Sequence, residues 1–578
     1  MTEFKTFEDI SYAIPDDLTL AQFILDSQHP ARPTRPHGKP WLIEDATGRE
    51  VGFEEVRERV FGLANGMSIK WNIREGDVVC VFSPNHIDYP IAIWATHRLG
   101  AVVTAANPSY NAEELEYQVK TAKANTIFAH PGFLDAALDA AKRCGIPYDR
   151  VILFHKLPST PSQKTGPTVD DLITLGLSNP ANFVERRLSP GEAKTKLAFL
   201  SFSSGTTGKP KAVAISHYSP IANIISMSQH HKVNSDPRPL EQQRFRPGDV
   251  AVAVLPFFHI YGLVVNLHWQ LFSAISLVVI PKFDFVSFLN SIVRYRITHL
   301  FVVPPQVVML CKSPVTKKYD ISHVRFLLSG AAPLTGELMK ELIKIFPNAD
   351  IGQGYGMTET CTTVAMFPPS QKIGVHGSAG QLVPGCRARV VKPDGTLAKV
   401  GEIGELVITG PCMALGYANN AEATKETFVD GWVRTGDEVY FDPQGELFIV
   451  DRLKEIMKVR GFQVAPAELE GHLLTSADVD DCCVVGVPDD YSGELPMAFV
   501  VLSHAAATRA SSSPAEANAI KAAIAKHVAD HKVKYKHLAG GIEIVDVIPK
   551  NPSGKLLRRV LRETAKEIRA AQLRKAKL

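Results

Sequence analysis

A short run of hydroxylated residues and glycines, SSGTTGKPK from Ser203 to Lys211, is chemically suited to wrap a polyphosphate. Its glycines let backbone N–H groups point into one concavity, its hydroxyls add donors, and Lys209 and Lys211 add positive charge. The Walker A pattern G-x-x-x-x-G-K-[ST] fails here, because Ser203 replaces its first glycine and Pro210 replaces its hydroxyl residue. The same composition is also typical of a flexible surface loop, so other segments must decide.

Four later segments carry groups that suit nucleotide chemistry. They are QGYGMTET (353–360), WVRTGDEVYFD (432–442), DRLKEIMKVRGFQVAPAELE (451–470) and KNPSGKLLRR (550–559). Each is weak evidence alone: Asp437 could cap a turn after Gly436, and Lys555 could belong to the basic face of the last helix. All five segments in this order are a far more specific signal than any one of them.

Composition and charge exclude several classes of protein. A chain of 578 residues is too long for one core, so we expect at least two domains, and its 45% hydrophobic and 21% charged residues are ordinary for a soluble globular enzyme. The net charge of +3 argues against nucleic acid as the main partner. The eight cysteines form no C-x-x-C pair, which argues against a zinc site or a disulfide framework. The N-terminal MTEFKTFEDI lacks the apolar region of a secretory signal.

One apolar stretch, residues 251–281, carries no Lys, Arg, Asp or Glu and looks long enough to span a bilayer. Polar residues and a proline interrupt it: Pro256, His259, Asn266, His268 and Gln270. Its two ends are β-rich runs, AVAVLP and ISLVVIP. This pattern favours a strand, a loop, a buried helix and a second strand inside an α/β domain.

The elements that must position these segments alternate short apolar β runs with helical patterns. VVCVFS (78–83) is followed by a helical pattern, by GAVVTAAN, and by a helix that Asn111 and Glu114 should cap. The alternation recurs at LAFLSF, VAVLPF, HLFVVP and VRFLLSG, and predicts an α/β fold with mostly parallel, helix-covered sheets. After about residue 390, short strands with turn signals predict a small β subdomain.

A smaller α+β unit is predicted beyond DRLKE (451–455), which looks charged and exposed. It contains a CCVVGVP strand, a PMAFVVL strand, a Ser/Ala-rich spacer AAATRASSSP, an IEIVDVIP strand and a basic terminal helix. Ser513, followed by Pro514 and Glu516, should cap a further helix after the spacer. The chain is thus predicted to have a large N-terminal domain and a small C-terminal domain.

The five segments together resemble the adenylate-forming enzymes, most closely the acyl-CoA ligase branch around 4-coumarate–CoA ligase and firefly luciferase. LPFFHIYG (255–262), LLSGAAPL (327–334) and GEIGELVITGP (401–411) extend the resemblance over nearly the whole chain. It implies an acid–thiol ligase that uses ATP, CoA and Mg²⁺. The acid attacks the α-phosphorus of ATP to give acyl-AMP and pyrophosphate, and the CoA thiol then displaces AMP.

The resemblance also implies the domain bounds: a large adenylation domain over 1–450, a hinge over 451–454 and a small mobile domain over 455–578. The small domain would rotate about Lys454 between the two half-reactions. Three other activities fit the same scaffold: a luciferase-like adenylating oxygenase, an adenylation enzyme that serves a separate carrier protein, and a degenerate acyl-binding protein. The last would be expected to have lost Lys555, Thr358 or Asp437, and all three are present.

The nucleotide-binding residues follow from the resemblance. Those implied at the phosphates and around the nucleotide are Ser203, Ser204, Gly205, Thr206, Thr207, Gly208, Lys209, Lys211, Gln353, Gly354, Tyr355 and Gly356. Thr358 is implied at the α-phosphate and Glu359 at Mg²⁺. Asp437 would accept both ribose hydroxyls, since a carboxylate only accepts, and Arg452 would support the ribose and phosphate side.

The C-terminal domain is implied to supply different residues to each step. Lys555 would bridge the substrate carboxylate and the α-phosphate during adenylation. Lys458 and Gln463 would lie near the adenylate and the thioester-forming site. The backbone of Gly461 and Phe462 would form a wall of the pantetheine channel.

The acyl pocket is implied to begin at His259 and Tyr261, although His259 could also be an ordinary core histidine in an apolar run. Its walls would be Ser329, Gly330, Ala331, Ala332, Gly354, Gly356 and the segment after Glu359. That segment reads TCTTVAMFPP, unlike the small-residue run usual in plant coumarate enzymes. Other aryl acids and medium to long aliphatic acids therefore stay open as substrates.

The chain ends in RKAKL, and its last three residues, Ala576-Lys577-Leu578, differ by one conservative change from the peroxisomal S-K-L signal. We therefore expect a peroxisomal import receptor as a partner and a peroxisomal location, with the cytoplasm as the alternative. The competing interpretation is a basic helix that happens to stop there.

Overall fold

A computed structural model of the chain describes residues 3–6, 8–156, 166–203, 210–332, 334, 336–453, 455–460, 462–489, 492–550, 554 and 556–577. The described strands form four sheets. Two large, mostly parallel sheets and an antiparallel sheet form the N-terminal part, and a smaller mixed sheet forms the C-terminal part. This arrangement confirms the predicted α/β fold class.

The first large sheet has seven strands, five of them parallel from Leu197–Ser203 to Val151–Leu153. In order across the sheet they are Gly416–Tyr417, Lys211–Ser216, Leu197–Ser203, Val102–Ala106, Val78–Phe82, Thr126–Ala129 and Val151–Leu153. The helices in this part of the chain are Leu20–Leu25, Phe53–Trp71, Tyr89–Arg98, Ala112–Ala122, Leu134–Cys144, Val169–Leu177 and Tyr218–His230. The predicted cap is confirmed, because Asn111 and Glu114 accept each other's backbone N–H at 2.9 Å.

The second large sheet has nine strands and a run of six parallel neighbours at its centre. In order they are Gln381–Leu382, Thr362–Met366, Asp350–Met357, Phe326–Ser329, His299–Val302, Val250–Ala253, Ser276–Val279, Leu42–Glu44 and Glu50–Val51. Its helices are Tyr261–Trp269, Gln270–Phe272, Phe285–Arg294, Pro304–Lys312 and Gly336–Ile345. Short 3-10 turns elsewhere are Pro131–Phe133, Tyr148–Arg150, Glu192–Lys194, Leu240–Gln242, Pro314–Lys318, Thr358–Thr360 and Lys534–Lys536.

The apolar stretch over 251–281 forms a strand, a loop, a buried helix and a second strand, as predicted. Every residue of its Tyr261–Trp269 helix is buried, and this segment has the wider turns of a π-helix. No helix among the described residues has the length and apolar character needed to cross a membrane. The stretch therefore owes its lack of charge to burial beneath the sheet.

The β subdomain is an antiparallel sheet, which confirms the change of pattern after residue 390. Its strands are Phe4–Lys5, Arg387–Val391, Gly404–Thr409, Trp432–Phe441, Phe428–Val429 and Leu447–Arg452, with the helix Ala421–Thr427 beside them. The last strand, Leu447–Arg452, pairs with Trp432–Phe441. This pairing places Asp437 directly opposite Arg452.

The C-terminal sheet has five described strands and its own two hydrophobic clusters. Its strands are Phe462–Val464, Met457–Val459, Gly493–Leu502, Val479–Asp489 and Gly541–Ile544, and its helices are Pro466–Leu473, His504–Ala510, Pro514–Ala529 and Arg558–Lys577. The spacer prediction is wrong for its alanine-rich half, which forms the helix His504–Ala510 with Ser503 as its cap. Alanine has the highest helix propensity, which favours a helix over an irregular spacer in this segment.

The link between the two parts runs from Arg452, which ends the β subdomain, to Met457, which begins the C-terminal sheet. The DRLKE segment is less exposed than predicted, because Asp451 is only 6% exposed and accepts the backbone N–H of Ala467 at 3.0 Å. Burial raises the pKa of Asp451 to about 6, although the Arg558 guanidinium acts in the opposite direction. The exact domain bounds remain predictions, and the proposed pivot Lys454 lies outside the described residues.

Candidate active site

The candidate site is built around a strand whose second half extends beyond the end of its parallel neighbour. Asp350–Met357 pairs on one side with a parallel neighbour and then turns back tightly into Thr362–Met366. The turn is so close that a Cβ added at Gly356 would lie 1.5 Å from the carbonyl oxygen of Thr362. Only glycine fits there. The turn between the two strands presents the Thr358–Thr360 segment, which is buried.

A buried aspartate forms one side of the site. Asp437 is 5% exposed and lies directly opposite Arg452 in the strand pair of the β subdomain. The Tyr355 hydroxyl donates to Asp437 Oδ2 at 2.5 Å, and Arg452 Nε lies 3.4 Å from Asp437 Oδ1. Asp437 is therefore a strand residue held by two donors, and not the turn cap that its GD sequence also allowed.

The pKa shifts of Tyr355 and Arg452 agree with an ionised Asp437 carboxylate. Burial raises the pKa of Tyr355 far above its usual range, and the Asp437 carboxylate adds to that effect. Burial alone would lower the pKa of Arg452, but the Asp437 carboxylate together with Glu455, Tyr355 and Glu359 outweighs burial and raises that pKa. Both neighbours thus stay in their hydrogen-donating forms at neutral pH, and Asp437 acts only as an acceptor.

A second carboxylate, Glu359, lies at the other end of the turn and is 5% exposed. Its Oε1 accepts from the Ser203 hydroxyl at 3.0 Å and from the Tyr417 hydroxyl at 2.8 Å. Ser203 pairs with Lys211 across two antiparallel strands, so both ends of the predicted phosphate loop lie beside Glu359. The loop residues Ser204, Gly205, Thr206, Thr207, Gly208 and Lys209 lie outside the described residues.

Tyr417 is a site residue that the sequence analysis missed. Besides donating to Glu359, its ring lies under the Lys211 ammonium, 4.8 Å from the ring centroid. Burial raises the pKa of Tyr417 above its usual range, with Glu359 adding to the effect, so the hydroxyl keeps its proton. Its only sequence signal was the short apolar ALGYANN stretch, which matches no phosphate-binding pattern.

Gln353 ties the strand to the loop that follows the neighbouring strand. Its side-chain oxygen accepts the Leu334 N–H at 2.6 Å, and its amide nitrogen donates to the carbonyl oxygens of Leu334 and Ser378. The amide is 6% exposed and engaged on both sides. The structure therefore shows how Gln353 holds the site's backbone, whereas its predicted contact with a nucleotide stays a prediction.

The predicted acyl-pocket residues do come together. The Tyr261 hydroxyl donates to the Leu328 carbonyl at 3.3 Å, and a Cβ added at Gly330 would lie 3.1 Å from the Tyr261 ring. His259 is half-buried and its Nδ1 accepts the Tyr261 N–H at 3.3 Å. Ser329 is buried, and its hydroxyl has no hydrogen-bond partner among the residues that the structure describes.

The remaining predicted wall residues have mixed exposure. Gly354 lies in the strand, where an added Cβ would be 3.3 Å from the Ala365 carbonyl oxygen. Ala332 is half-buried, but Ala331 is exposed and has a φ of 69°. Ala331 thus turns the chain after Gly330 and contributes less wall than its neighbours.

Besides the Asp451–Ala467 contact at the link, two further contacts join the described residues of the C-terminal part to the large domain. Lys312 Nζ donates to the Val479 carbonyl oxygen at 2.5 Å. A Cβ added at Gly554 would lie 3.0 Å from the Val303 side chain, so Gly554 packs next to the helix that begins at Pro304. Lys555 itself, like Gly461, lies outside the described residues.

The residues predicted for the second step lie on one hairpin. Lys458 is exposed and pairs with Gln463 across the two strands, and its backbone N–H donates to the Glu494 carboxylate at 2.8 Å. The Phe462 ring is 54% exposed and stacks on Tyr535 with centroids 4.5 Å apart. This hairpin is therefore available to a second surface.

Two family descriptions match the chain. The AMP-binding enzyme family matches residues 30–418, and the AMP-binding enzyme C-terminal domain matches residues 468–555. A probable CoA ligase of Humulus lupulus is 36% identical over 533 residues, covering 91% of this chain and 90% of its own length. A 4-coumarate–CoA ligase of rice, Oryza sativa subsp. japonica, is 35% identical over 566 residues, covering 95% of each chain.

Solved structures agree with these relatives. ATP-bound MatB from Rhodopseudomonas palustris has 27% identity and a TM-score of 0.78, covering 96% of this chain and 100% of its own. The anthranilate CoA ligase AuaEII, in complex with anthranoyl-AMP, shares the fold with a TM-score of 0.80 at 24% identity, covering 96% of this chain and 99% of its own. The chain therefore belongs to the AMP-binding enzyme family, in the acyl-CoA ligase branch of the adenylate-forming enzymes.

Proposed function

We propose that this ATP-dependent acyl-CoA ligase binds ATP with its ribose at Asp437, its α-phosphate near Thr358 and its β- and γ-phosphates at the loop that begins at Ser203. The observation that carries this proposal is the buried Asp437 carboxylate. Tyr355 donates to one of its oxygens and Arg452 Nε lies 3.4 Å from the other, so the carboxylate is held in one orientation. A carboxylate only accepts hydrogen bonds and a vicinal diol offers two donors, so a ribose suits this group.

We also propose Mg²⁺ at Glu359. Two hydroxyls occupy Oε1 of this carboxylate, and no side chain of the described residues donates to Oε2. Mg²⁺ prefers hard oxygen ligands and commonly uses one or two carboxylates together with substrate phosphates, so this donor set fits. When bound, Mg²⁺ would neutralise charge on the phosphate oxygens as pyrophosphate leaves. Lys211 adds a positive charge over the ring of Tyr417, whose hydroxyl donates to the same carboxylate.

For adenylation, we assign Lys555 to the contact between the acid's carboxylate and the α-phosphate. The neighbouring Gly554 packs against Val303, next to the helix Pro304–Lys312 of the large domain, and this contact supports the assignment. Lys555→Ala should abolish acid-dependent ATP–pyrophosphate exchange and leave the unfolding temperature unchanged. Lys566→Ala is the matched control, because this lysine lies on the terminal helix and pairs with Glu563 at the surface. Exchange within threefold of the unsubstituted enzyme would overturn the assignment.

For thioester formation, we assign the hairpin that carries Lys458, Phe462 and Gln463. The exposure of this hairpin supports a second orientation of the C-terminal domain, in which it would face the cleft. Lys458→Ala should slow the conversion of a preformed acyl-adenylate to acyl-CoA while exchange with pyrophosphate stays near normal. An undiminished conversion rate would contradict the two-orientation proposal for this chain.

The acid is proposed to be aromatic or a medium to long aliphatic acid. The Tyr261 ring and the Gly330 and Gly354 backbone give the described part of the pocket an apolar wall. An exchange screen over cinnamic, other aryl and aliphatic acids identifies the class. The luciferase-like alternative and the carrier-protein alternative are tested with the best acid, since acid-dependent release of AMP by CoA without light excludes both.

The peroxisomal location is a proposal from the terminal tripeptide alone. The helix Arg558–Lys577 reaches the last residues, and Leu578 lies outside the described part of the chain. Deleting residues 576–578 should move the protein from peroxisomes to the cytosol with unchanged activity in vitro, because the proposed site lies elsewhere. Fluorescence microscopy with the native C-terminus left free decides this, and an unchanged distribution would contradict it.

A further inference from the structure

Three histidines meet where two helices of the C-terminal domain end. His472 lies in the last turn of Pro466–Leu473, His527 lies in the last turn of Pro514–Ala529, and His531 follows shortly after. The rings of His472 and His527 stack 4.4 Å apart and nearly parallel, and the His531 ring lies 5.1 Å and 5.5 Å from them. One nitrogen from each ring lies within 4.8 Å of those from the other two.

The hydrogen bonds around the cluster fix which nitrogen of each ring carries the proton. His472 Nε2 lies 3.1 Å and His531 Nδ1 lies 3.0 Å from the His527 carbonyl oxygen, which can only accept. The Thr475 hydroxyl donates to the His472 carbonyl at 2.7 Å, so it accepts from His527 Nε2 at 2.9 Å. In the neutral form of each ring, the lone pair then lies on the other nitrogen. Metal-binding histidines typically use one ring nitrogen in this way to orient the other.

Solvent reaches the cluster on one side, and one carboxylate offsets part of the charge of two nearby lysines. His531 is exposed and the other two rings are half-buried, so an ion can reach the cluster from solvent. Lys532 and Lys536 lie next in the chain, and the Glu468 carboxylate pairs with both, at 3.0 Å and 2.5 Å.

We propose that His472, His527 and His531 bind one divalent transition-metal ion of the Zn²⁺, Co²⁺ or Ni²⁺ class, with solvent completing its coordination. Imidazole nitrogens suit these ions, whereas Mg²⁺ prefers oxygen, so the site is chemically distinct from Glu359. Nitrogens bound to Zn²⁺ at about 2.0–2.1 Å lie about 3.4 Å apart at a tetrahedral angle, so the rings must close by up to about 1.4 Å. A metal ion lies in the plane of each imidazole that binds it, so at least one of the nearly parallel His472 and His527 rings must also turn out of the stack.

The absence of a C-x-x-C pair does not bear on this site, because its proposed ligands are histidines. The three histidines are 55 and 4 residues apart in the chain, and only the packing of the two helix ends brings them together. An ion held by all three would tie those ends to each other. We therefore expect it to raise the unfolding temperature of the full chain, since a ligand that binds only the folded state stabilises it.

The test uses the full-length chain without a histidine tag, stripped of metal by a chelator. Calorimetric titration with Zn²⁺ should give one site per chain with a Kd below about 10 μM, with a higher unfolding temperature at saturation. His531→Ala should weaken this site by at least about 10- to 100-fold, because it removes one of three ligands. His531 is exposed, so this variant should fold, which its metal-free unfolding temperature checks.

The matched control is His504→Ala, which removes an exposed histidine at the start of another helix of the same domain. It should leave the affinity and the stoichiometry unchanged. Co²⁺ should give weak visible bands without thiolate charge-transfer absorption, as expected for nitrogen ligands. A chain that binds no Zn²⁺, a His531→Ala variant that binds as tightly as its parent, or a thiolate band in the Co²⁺ spectrum would overturn the proposal.

Discussion

The candidate site has two regions, a proposed nucleotide side and a proposed acid side, and opposite kinds of contact hold them together. On the nucleotide side, hydrogen bonds and an ion pair tie Asp437 to Tyr355 and Arg452, and two further hydroxyls hold Glu359. On the acid side, the Tyr261 ring packs over Gly330 and the buried Ser329 hydroxyl has no described partner. One side is defined by charge, and the other by shape.

This difference explains why the sequence contains recognisable motifs on the nucleotide side but does not identify the acid. A buried carboxylate requires donors around it, so its position restricts the residue types of its neighbours and leaves recognisable motifs. An apolar wall accepts many side chains of similar volume, so residue type says little about the acid that fits. Substitutions on the two sides should therefore have different effects. Those on the nucleotide side should lower activity with every acid equally, and those on the acid side should change the ranking of acids by kcat/KM.

The largest effect is expected for Asp437→Ala. It removes the proposed acceptor of two ribose hydroxyls, and hydrogen bonds to a charged group contribute about 1.5–3 kcal/mol each, so kcat/KM for ATP should fall about 10²- to 10⁴-fold with every acid. Pyrophosphate exchange at several ATP concentrations measures this. Asp442→Ala, at the turn that ends the same strand, is the matched control. A loss below tenfold, or one that depends on the acid, would contradict the charge-defined side.

A smaller effect on the same side is expected for Tyr355→Phe. The ring stays, but the 2.5 Å hydrogen bond to Asp437 Oδ2 is lost, and one such bond corresponds to about 10- to 100-fold in KM for ATP. The ranking of acids should not change. Tyr440→Phe is a suitable control because Tyr440 lies on the same strand as Asp437 and stacks on Phe448. Equal losses in the two variants would show that the effect is not specific to Asp437.

The sequence predicted most of the fold because local signals agreed with the tertiary structure. The caps at Asn111 and Ser513 formed as expected, and so did the buried helix after Pro256. The errors lie where tertiary contacts decide: DRLKE looked exposed, but Asp451 is buried beside Ala467. Charge in a sequence predicts solvent exposure only when no partner is folded against it.

Within the candidate site, the sequence named candidate residues but not their contacts. The resemblance named Asp437, Tyr355 and Arg452, whereas their mutual hydrogen bonds depend on strands far apart in the chain. Tyr417 was missed for the same reason, because it approaches Glu359 only after its short strand joins the edge of a different sheet. Residue roles of this kind need the pairing of distant strands, which no local pattern encodes.

On the acid side, Gly330→Ala should act on selectivity. The new Cβ would lie 3.1 Å from the Tyr261 ring, so the ring must shift and the pocket should narrow. We expect kcat/KM for bulky acids to fall about tenfold relative to small acids, which is within the range for small changes in an apolar pocket. The KM for ATP should stay unchanged. An equal loss of kcat/KM for all acids would contradict a role for Gly330 in acid selectivity.

The smallest effect is expected for Tyr417→Phe. This change removes the hydroxyl that donates to Glu359 Oε1 at 2.8 Å but keeps the ring under the Lys211 ammonium, so it separates the two contacts of one side chain. Losing one hydrogen bond, about 1 kcal/mol, should raise the Mg²⁺ concentration for half-maximal exchange about fivefold. Tyr417→Leu should add the loss of the cation–π contact and weaken ATP binding further. If Tyr417→Phe changed the ranking of acids but not the Mg²⁺ requirement, Glu359 would not be the metal ligand, and the division between the two sides would have to be redrawn.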